Sequence, residues 1–177
     1  GDAATYYFGV FPHLILNQKE SFVFKGRNRR PPKDAVNAML SFVYTLISND
    51  VTAALETVGL DPYVGFMHAL RPGRPSLALD IMEELRAYLG DRLVLSLINR
   101  KQITGNQFLQ QGDESIIMTD DARRTIISAW QARKKEQIQH PFLNEKVSIG
   151  LLPHIQAMML ARYLRNDLDD YPVFLIQ

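Results

Sequence analysis

The stretch DAVNAMLSFVYTLISND, residues 34 to 50, decides the predicted fold. Its apolar residues lie almost all round a helical wheel, and a helix without a polar face is usually buried in the middle of a domain. Asp34 follows two prolines and is a typical helix start. We therefore expect a buried central helix, followed by a second helix over residues 50–58 with Asp50 as its N-cap and Gly59 as its stop.

Helical spacing of apolar residues continues towards the C-terminus. Residues 77–89 predict a long helix that Ser76 caps and Gly90 ends. Residues 91–99 are apolar and fit either a helix or a strand, of which we favour the helix. The later segments are a short strand pair near residues 115–118, an amphipathic helix over 119–139, a last helix from Leu152 through Leu164 and an extended tail. The predicted fold class is all-α, with one domain over residues 1–177.

Composition excludes several classes of protein and site. The 177 residues are 46% hydrophobic and 22% charged, which is typical of a globular domain. No secretory signal is recognisable and no apolar run approaches the roughly 20 residues that span a membrane, so we expect a cytoplasmic chain without membrane contact. The absence of Cys leaves His and carboxylates as metal ligands, which favour magnesium or manganese. Five basic residues within 25–33 and three within 133–135 can attract phosphates or form solvated loops.

Three carboxylates crowd the stretch LALDIMEELRA, residues 77 to 87, where Asp80, Glu83 and Glu84 would repel each other on one helix face. A divalent cation would turn that repulsion into attraction. Glu56 and His68 also lie in apolar segments or between closely spaced turn residues, where burial of an isolated charge costs free energy. Taken singly, each residue has a simpler interpretation as a surface acid, a satisfied histidine or an acid near a helix start, and spacing alone does not establish a metal site.

Other chemistries find little support in the sequence. His13, His140 and His154 lie in contexts typical of structural histidines. No GxSxG motif, Walker phosphate loop or RNP-like stacking motif is present.

A family resemblance rests on several motifs that occur in order. Residues 29–86, with ALETVGLDP, GFMH and LALDIMEE, closely resemble the CRISPR-associated integrase-endonuclease family that inserts new spacers into CRISPR arrays. The likeness continues through residues 91–103, 140–143, 149–165 and 171–174, and is greatest to the version in subtype I-C systems. The family combines an N-terminal β domain with a C-terminal α-helical catalytic domain. This chain resembles only the catalytic domain.

The resemblance implies a metal site. The family holds a divalent ion with a Glu, a His and a further acid, which match Glu56, His68 and Glu83, with Asp80 as a neighbour. These residues would bind Mg²⁺ or Mn²⁺ and would thereby support catalysis. The candidates for binding DNA phosphates are Arg29, Arg30, Arg71, Arg74 and Lys101. Asn37 and Tyr44 are possible site-lining residues, or else pack within their helix.

The resemblance also implies an activity and partners. The family joins the 3′-hydroxyl of a short DNA duplex to a phosphate of the CRISPR repeat, and the same site supports strand cleavage. Expected partners are double-stranded DNA (protospacer and CRISPR repeat), a second copy of the full-length protein and a small CRISPR-associated partner protein. The rival interpretations are a non-catalytic helical scaffold or DNA-binding module, and an isolated domain that binds metal but cannot integrate.

Overall fold

The computed structural model describes residues 2–69, 71–112 and 114–175. Helices dominate, in the order α1 (Asp2–Val10), α2 (Ala35–Thr57), α3 (Ser76–Leu85), α4 (Arg92–Asn99), α5 (Asp120–Lys134) and α6 (Leu152–Leu164). Four short strands are also present: β1 (Phe108–Gln110), β2 (Ile116–Met118), β3 (Gln137–Gln139) and β4 (Lys146–Ser148). The all-α prediction is therefore corrected to a mostly helical fold that carries two small antiparallel hairpins.

The described chain divides into two compact units, one of residues 1–44 and 90–130 and the other of residues 45–89 and 131–177. Compact units need not fold independently, so the single domain over residues 1–177 stays a prediction.

The first unit packs around aromatic side chains. Phe8, Phe11 and Phe24 are buried, and their ring centroids lie 5.1 to 6.0 Å apart. In the same unit β1 pairs with β2 in the register Leu109 to Ile117. The strand predicted near residues 115–118 is thus confirmed.

The loop before α2 is held by side chains of its own unit. Asn37 is fully buried, and its Oδ1 accepts hydrogen bonds from Arg27 Nη1 at 2.7 Å and from the backbone N–H of Asn28 at 3.0 Å. The Asn37 backbone N–H donates to Asp34 Oδ1 at 2.7 Å, which confirms Asp34 as the start of α2. Buried amides that are fully hydrogen-bonded stabilise a unique loop conformation.

The helix α2 is longer than the sequence indicated. It runs without a break from Ala35 to Thr57, so the predicted second helix with Asp50 as N-cap is wrong. The Asp50 carboxylate instead accepts a hydrogen bond from Lys134 Nζ at 2.9 Å. The predicted stop at Gly59 is confirmed, because this residue has a φ of 81°, which glycine adopts without strain. By length and composition α2 is long and apolar enough to cross a membrane, which corrects the expectation that no apolar run approaches that length. A core helix with buried side chains meets the same criteria.

Two predicted helix ends near α3 are corrected. Ser76 is the first residue of α3 and makes no capping hydrogen bond to it. Its hydroxyl donates to the carbonyl of Ala69 at 3.2 Å. Gly90 does not end the helix, because a π-helical turn, Arg86–Asp91, leads directly into α4. The helix assigned to residues 91–99 is confirmed by α4.

The second unit contains the remaining elements. The helix predicted over residues 119–139 ends at Lys134, and the residues after it form the hairpin of β3 and β4, in which Ile138 lies opposite Val147. The last predicted helix is confirmed by α6. The tail is fastened to α3, because the Glu84 carboxylate accepts hydrogen bonds from the Tyr171 hydroxyl at 2.7 Å and the Phe174 N–H at 3.0 Å.

Candidate active site

The centre of the candidate site is a buried carboxylate on α3. Asp80 is 5% exposed, and its Oδ2 accepts the backbone N–H groups of Phe66 at 2.6 Å and Met67 at 3.0 Å. Its Oδ1 accepts the backbone N–H of His68 at 3.0 Å and lies 2.6 Å from His68 Nδ1. One carboxylate therefore fixes both the backbone of the preceding loop and the orientation of the imidazole.

The hydrogen bonds also decide the ionisation of Asp80. Burial disfavours the charged form, but the bonds from Met67, His68 and Phe66 outweigh it and hold the pKa of the Asp80 carboxyl below its ordinary value. An ionised carboxylate only accepts hydrogen bonds, so the proton of the His68–Asp80 contact belongs to Nδ1. In the neutral imidazole the lone pair then lies on Nε2, and the side chain is 25% exposed.

Close packing brings the loop against α3. A Cβ added to Gly65 would lie 2.7 Å from Ser76 Cβ and 2.9 Å from Asp80 Oδ2, so only glycine lets the backbone approach this closely. The carbonyl of Pro62 accepts the N–H groups of Leu77 at 2.9 Å and Ala78 at 3.3 Å, which satisfies donors of the first turn of α3. The loop thus acts as the N-terminal cap that Ser76 does not provide.

The three crowded carboxylates of α3 each have partners of their own. Glu83 forms an ion pair with Arg86 Nη1 at 2.9 Å, and Glu84 binds the tail and Gln156. Because Asp80 binds the loop, the three side chains have separate roles. The repulsion that suggested a cation from the sequence is relieved by these protein partners.

The other predicted ligand, Glu56, is exposed in the last turn of α2. Among the described residues, no group of three or more His, Asp or Glu side chains is close enough to hold a metal ion. The His68–Asp80 pair nevertheless fits a metal-binding histidine, whose second ring nitrogen typically donates to a carboxylate. The structure therefore joins His68 with Asp80 and leaves Glu56 and Glu83 outside that contact.

The predicted DNA-binding residues fall into two groups. Exposed or half-buried cations in loops and turns are Arg29, Arg30, Arg71, Arg74 and Lys101. The Tyr44 hydroxyl donates to Asp91, and Arg27 lies over the Tyr44 ring at 5.4 Å. Asn37 and Tyr44 thus have the packing roles that were the alternative interpretation. Full burial removes Asn37 from any direct DNA contact in this conformation, which corrects its assignment as a site-lining residue.

Sequence reasoning did not identify Gly65, Phe66 and Met67 as parts of the site. The signal was the glycine within the run YVGFMH, since an isolated glycine among apolar residues marks a close backbone approach.

Comparison with known proteins gives the family. Residues 1–132 match the family described as CRISPR associated protein Cas1. The chain is 58% identical over 172 residues to the CRISPR-associated endonuclease Cas1 2 of Rhodospirillum rubrum, covering 97% of this chain and 50% of that protein.

Two solved structures are similar in fold. A Cas1 protein from Thermotoga maritima superposes with a TM-score of 0.83 at 28% identity, covering 93% of this chain and 50% of that one. A Cas6-RT-Cas1–Cas2 complex gives a TM-score of 0.81 at 26% identity, covering 98% and 19%. The chain spans about half the length of the Rhodospirillum relative. On the family match and this identity, the chain belongs to the CRISPR-associated Cas1 family.

Proposed function

We propose that this chain forms the catalytic, metal- and DNA-binding part of a DNA endonuclease and integrase that inserts new spacers into a CRISPR array. The observation that carries the proposal is the His68–Asp80 pair, with Nδ1 bonded at 2.6 Å and Nε2 available. The name of the Rhodospirillum relative, an endonuclease, supports the reaction class.

The proposed ligands of a Mg²⁺ or Mn²⁺ ion are His68 through Nε2, Glu83 and Glu56, which would have to move together on binding the ion because no three such side chains of the described residues lie within ligating distance. Glu83 lies one turn beyond Asp80 on α3, so both project from the same helix face. The Glu83 side chain is 32% exposed and paired with Arg86, and ligation would require that pair to open or to be shared. When bound, the metal would supply Lewis-acid stabilisation of charge at phosphorus and activation of the attacking oxygen.

The protein's own groups would position the DNA. Arg71 and Arg74 follow His68 within six residues and lie in a turn closed by the Arg74 N–H bond to the Arg71 carbonyl at 3.0 Å. Cations this near His68 in sequence would hold backbone phosphates without reading bases. Arg29, Arg30 and Lys101 are exposed in the other unit and are further candidates for phosphate contacts.

We further infer the partners of the longer protein. The expected substrates are protospacer DNA and the CRISPR repeat, and a similar fold within a solved Cas1–Cas2 complex supports a small CRISPR-associated partner protein. A homodimer of the full-length protein, cytoplasmic localisation and the subtype I-C assignment remain parts of this proposal.

The experiment compares His68→Ala with His13→Ala, a control at an exposed histidine of the first unit. We expect His68→Ala to abolish manganese-dependent cutting or joining of DNA while its melting temperature stays near that of the control. Full activity in His68→Ala would refute the assignment. Calorimetric titration with manganese distinguishes the proposed enzyme from a non-catalytic scaffold. The enzyme should bind manganese and lose that binding in Glu83→Ala, whereas a scaffold should show no such metal site.

A further inference from the structure

Four large apolar side chains are exposed within five residues of the chain, directly before His68. We call residues 63–67 the apolar loop. The exposed fractions are 49% for Tyr63, 55% for Val64, 68% for Phe66 and 71% for Met67. Clustered exposed apolar side chains are unusual on a protein surface and mark binding sites.

The apolar loop is exposed but not loosely held. The backbone N–H groups of Phe66 and Met67 both donate to the buried Asp80 carboxylate, and Gly65 lies tightly against Ser76. The backbone that carries the Phe66 and Met67 side chains is therefore held in place before any ligand arrives. A surface ordered in advance loses less conformational entropy on binding.

Charge indicates the chemistry of the ligand. Arg71 and Arg74 lie within eight residues of Phe66, and neither forms an ion pair within the part of the chain that the structure describes. An exposed aromatic side chain and guanidinium groups without an ion pair, all within eight residues of one another, match a nucleotide, which offers a flat base and an anionic phosphate. A purely apolar protein partner would leave these cations uncompensated.

We propose that Phe66, supported by Met67, is a stacking surface for the base of an unpaired nucleotide of the DNA substrate, a role that rests on the proposed function. Phe66 is two residues from His68, so the two backbones are at most about 7 Å apart. The stacked base therefore belongs to a nucleotide at the reacting phosphate. It must be unpaired or terminal, since bases inside a duplex have both faces covered by neighbouring bases.

The test measures stacking directly and without metal. A DNA duplex with an unpaired 3′ end carries the fluorescent adenine analogue aminopurine as its terminal base, and the 177-residue chain is titrated into it. We expect the wild-type chain to change the aminopurine fluorescence. Phe66→Ala should abolish that change and weaken binding about 5- to 150-fold, the range for loss of one base stack. Phe66→Trp should restore both.

The matched control is Phe142→Ala, because Phe142 is also exposed, at 54%, and lies in the same unit in the turn between β3 and β4. It should bind as the wild type does. Wild-type fluorescence and affinity in Phe66→Ala, an equal loss in Phe142→Ala, or no fluorescence change with the wild-type chain would each overturn the proposal. His68→Ala keeps the stacking signal while losing cutting, so failure of the proposed activity is distinguishable from failure of stacking.

Discussion

Replacing Asp80 by Asn tests how the site is held together. The side chain keeps its shape but retains only one acceptor oxygen, whereas the carboxylate accepts from three backbone N–H groups and from His68 Nδ1. The best arrangement keeps the oxygen at the Oδ2 position, where it still accepts from Phe66 and Met67. The new amide NH₂ then faces the backbone N–H of His68, which loses its partner.

The magnitude follows from these bonds. A buried N–H left unsatisfied costs about 1–3 kcal/mol, and the surviving bonds lose the part of their strength that came from the charge. We therefore expect Asp80→Asn to lower the free energy of unfolding by about 2–4 kcal/mol at neutral pH. Urea unfolding measures this loss against Asp61→Asn, a control in the same loop whose exposed carboxylate accepts the Tyr63 N–H at 2.9 Å.

The substitution should also move a proton on the imidazole. The introduced amide NH₂ can donate to His68 Nδ1 only if that nitrogen is unprotonated, so the proton shifts to Nε2. A protonated Nε2 cannot bind a metal, and removal of such a carboxylate partner typically lowers metal affinity about 10- to 100-fold. Nitrogen NMR of the ring reports the tautomer, and calorimetric titration with manganese reports the affinity.

The pH dependence has a definite sign. Because the pKa of Asp80 is lowered in the folded state, its contribution to stability is fully present above the unfolded-state pKa of about 3.9. That contribution is lost as the pH falls through the lower, folded-state pKa. The stability difference between wild type and Asp80→Asn should therefore shrink on acidification. An unchanged tautomer together with wild-type stability in Asp80→Asn would refute this account of the site.

Two further predictions concern packing and titration. Gly65→Ala places a Cβ 2.7 Å from Ser76 Cβ and should lower the free energy of unfolding by about 1–3 kcal/mol. Hydrogen exchange at the Phe66 and Met67 amides should become faster, and unchanged exchange would contradict the close packing. Burial lowers the pKa of His140, and the Gln156 hydrogen bond offsets part of this effect. Stability should therefore fall as the pH drops below about 6.5 towards the folded-state pKa. Between about pH 7 and 5 the urea midpoint should fall less in His140→Gln than in the wild type.

The helices could be predicted from apolar spacing, but several of their ends could not. Asp50 is a typical N-cap residue, yet it lies inside α2 because its carboxylate binds Lys134, more than eighty positions away in sequence. Gly90 is a typical helix stop, yet the chain continues through a π-helical turn. At Asp50 a contact between residues distant in sequence accompanies the departure from local preference, and such contacts cannot be read from one sequence.

The sequence singles out His68 and Asp80 but does not reveal the contact between them. In the structure Asp80 is buried and holds a loop through three backbone N–H groups, and its place beside a metal ion stays a prediction. Backbone donors leave no trace in side-chain identity, so motif matching cannot detect them. The family resemblance, by contrast, rests on side-chain motifs and is confirmed by the comparisons.

The fastening of the tail has a consequence for how this chain can diverge. Glu84 joins α3 to Tyr171 and Phe174, and Gln156 Nε2 donates to Glu84 Oε2 at 2.9 Å and contacts the Tyr171 hydroxyl at 3.0 Å. A lone change at any one of these polar positions would cost the others one hydrogen-bond partner. Positions 84, 156 and 171 should therefore covary among homologues. Two or more of them should change together, and single substitutions should be rare.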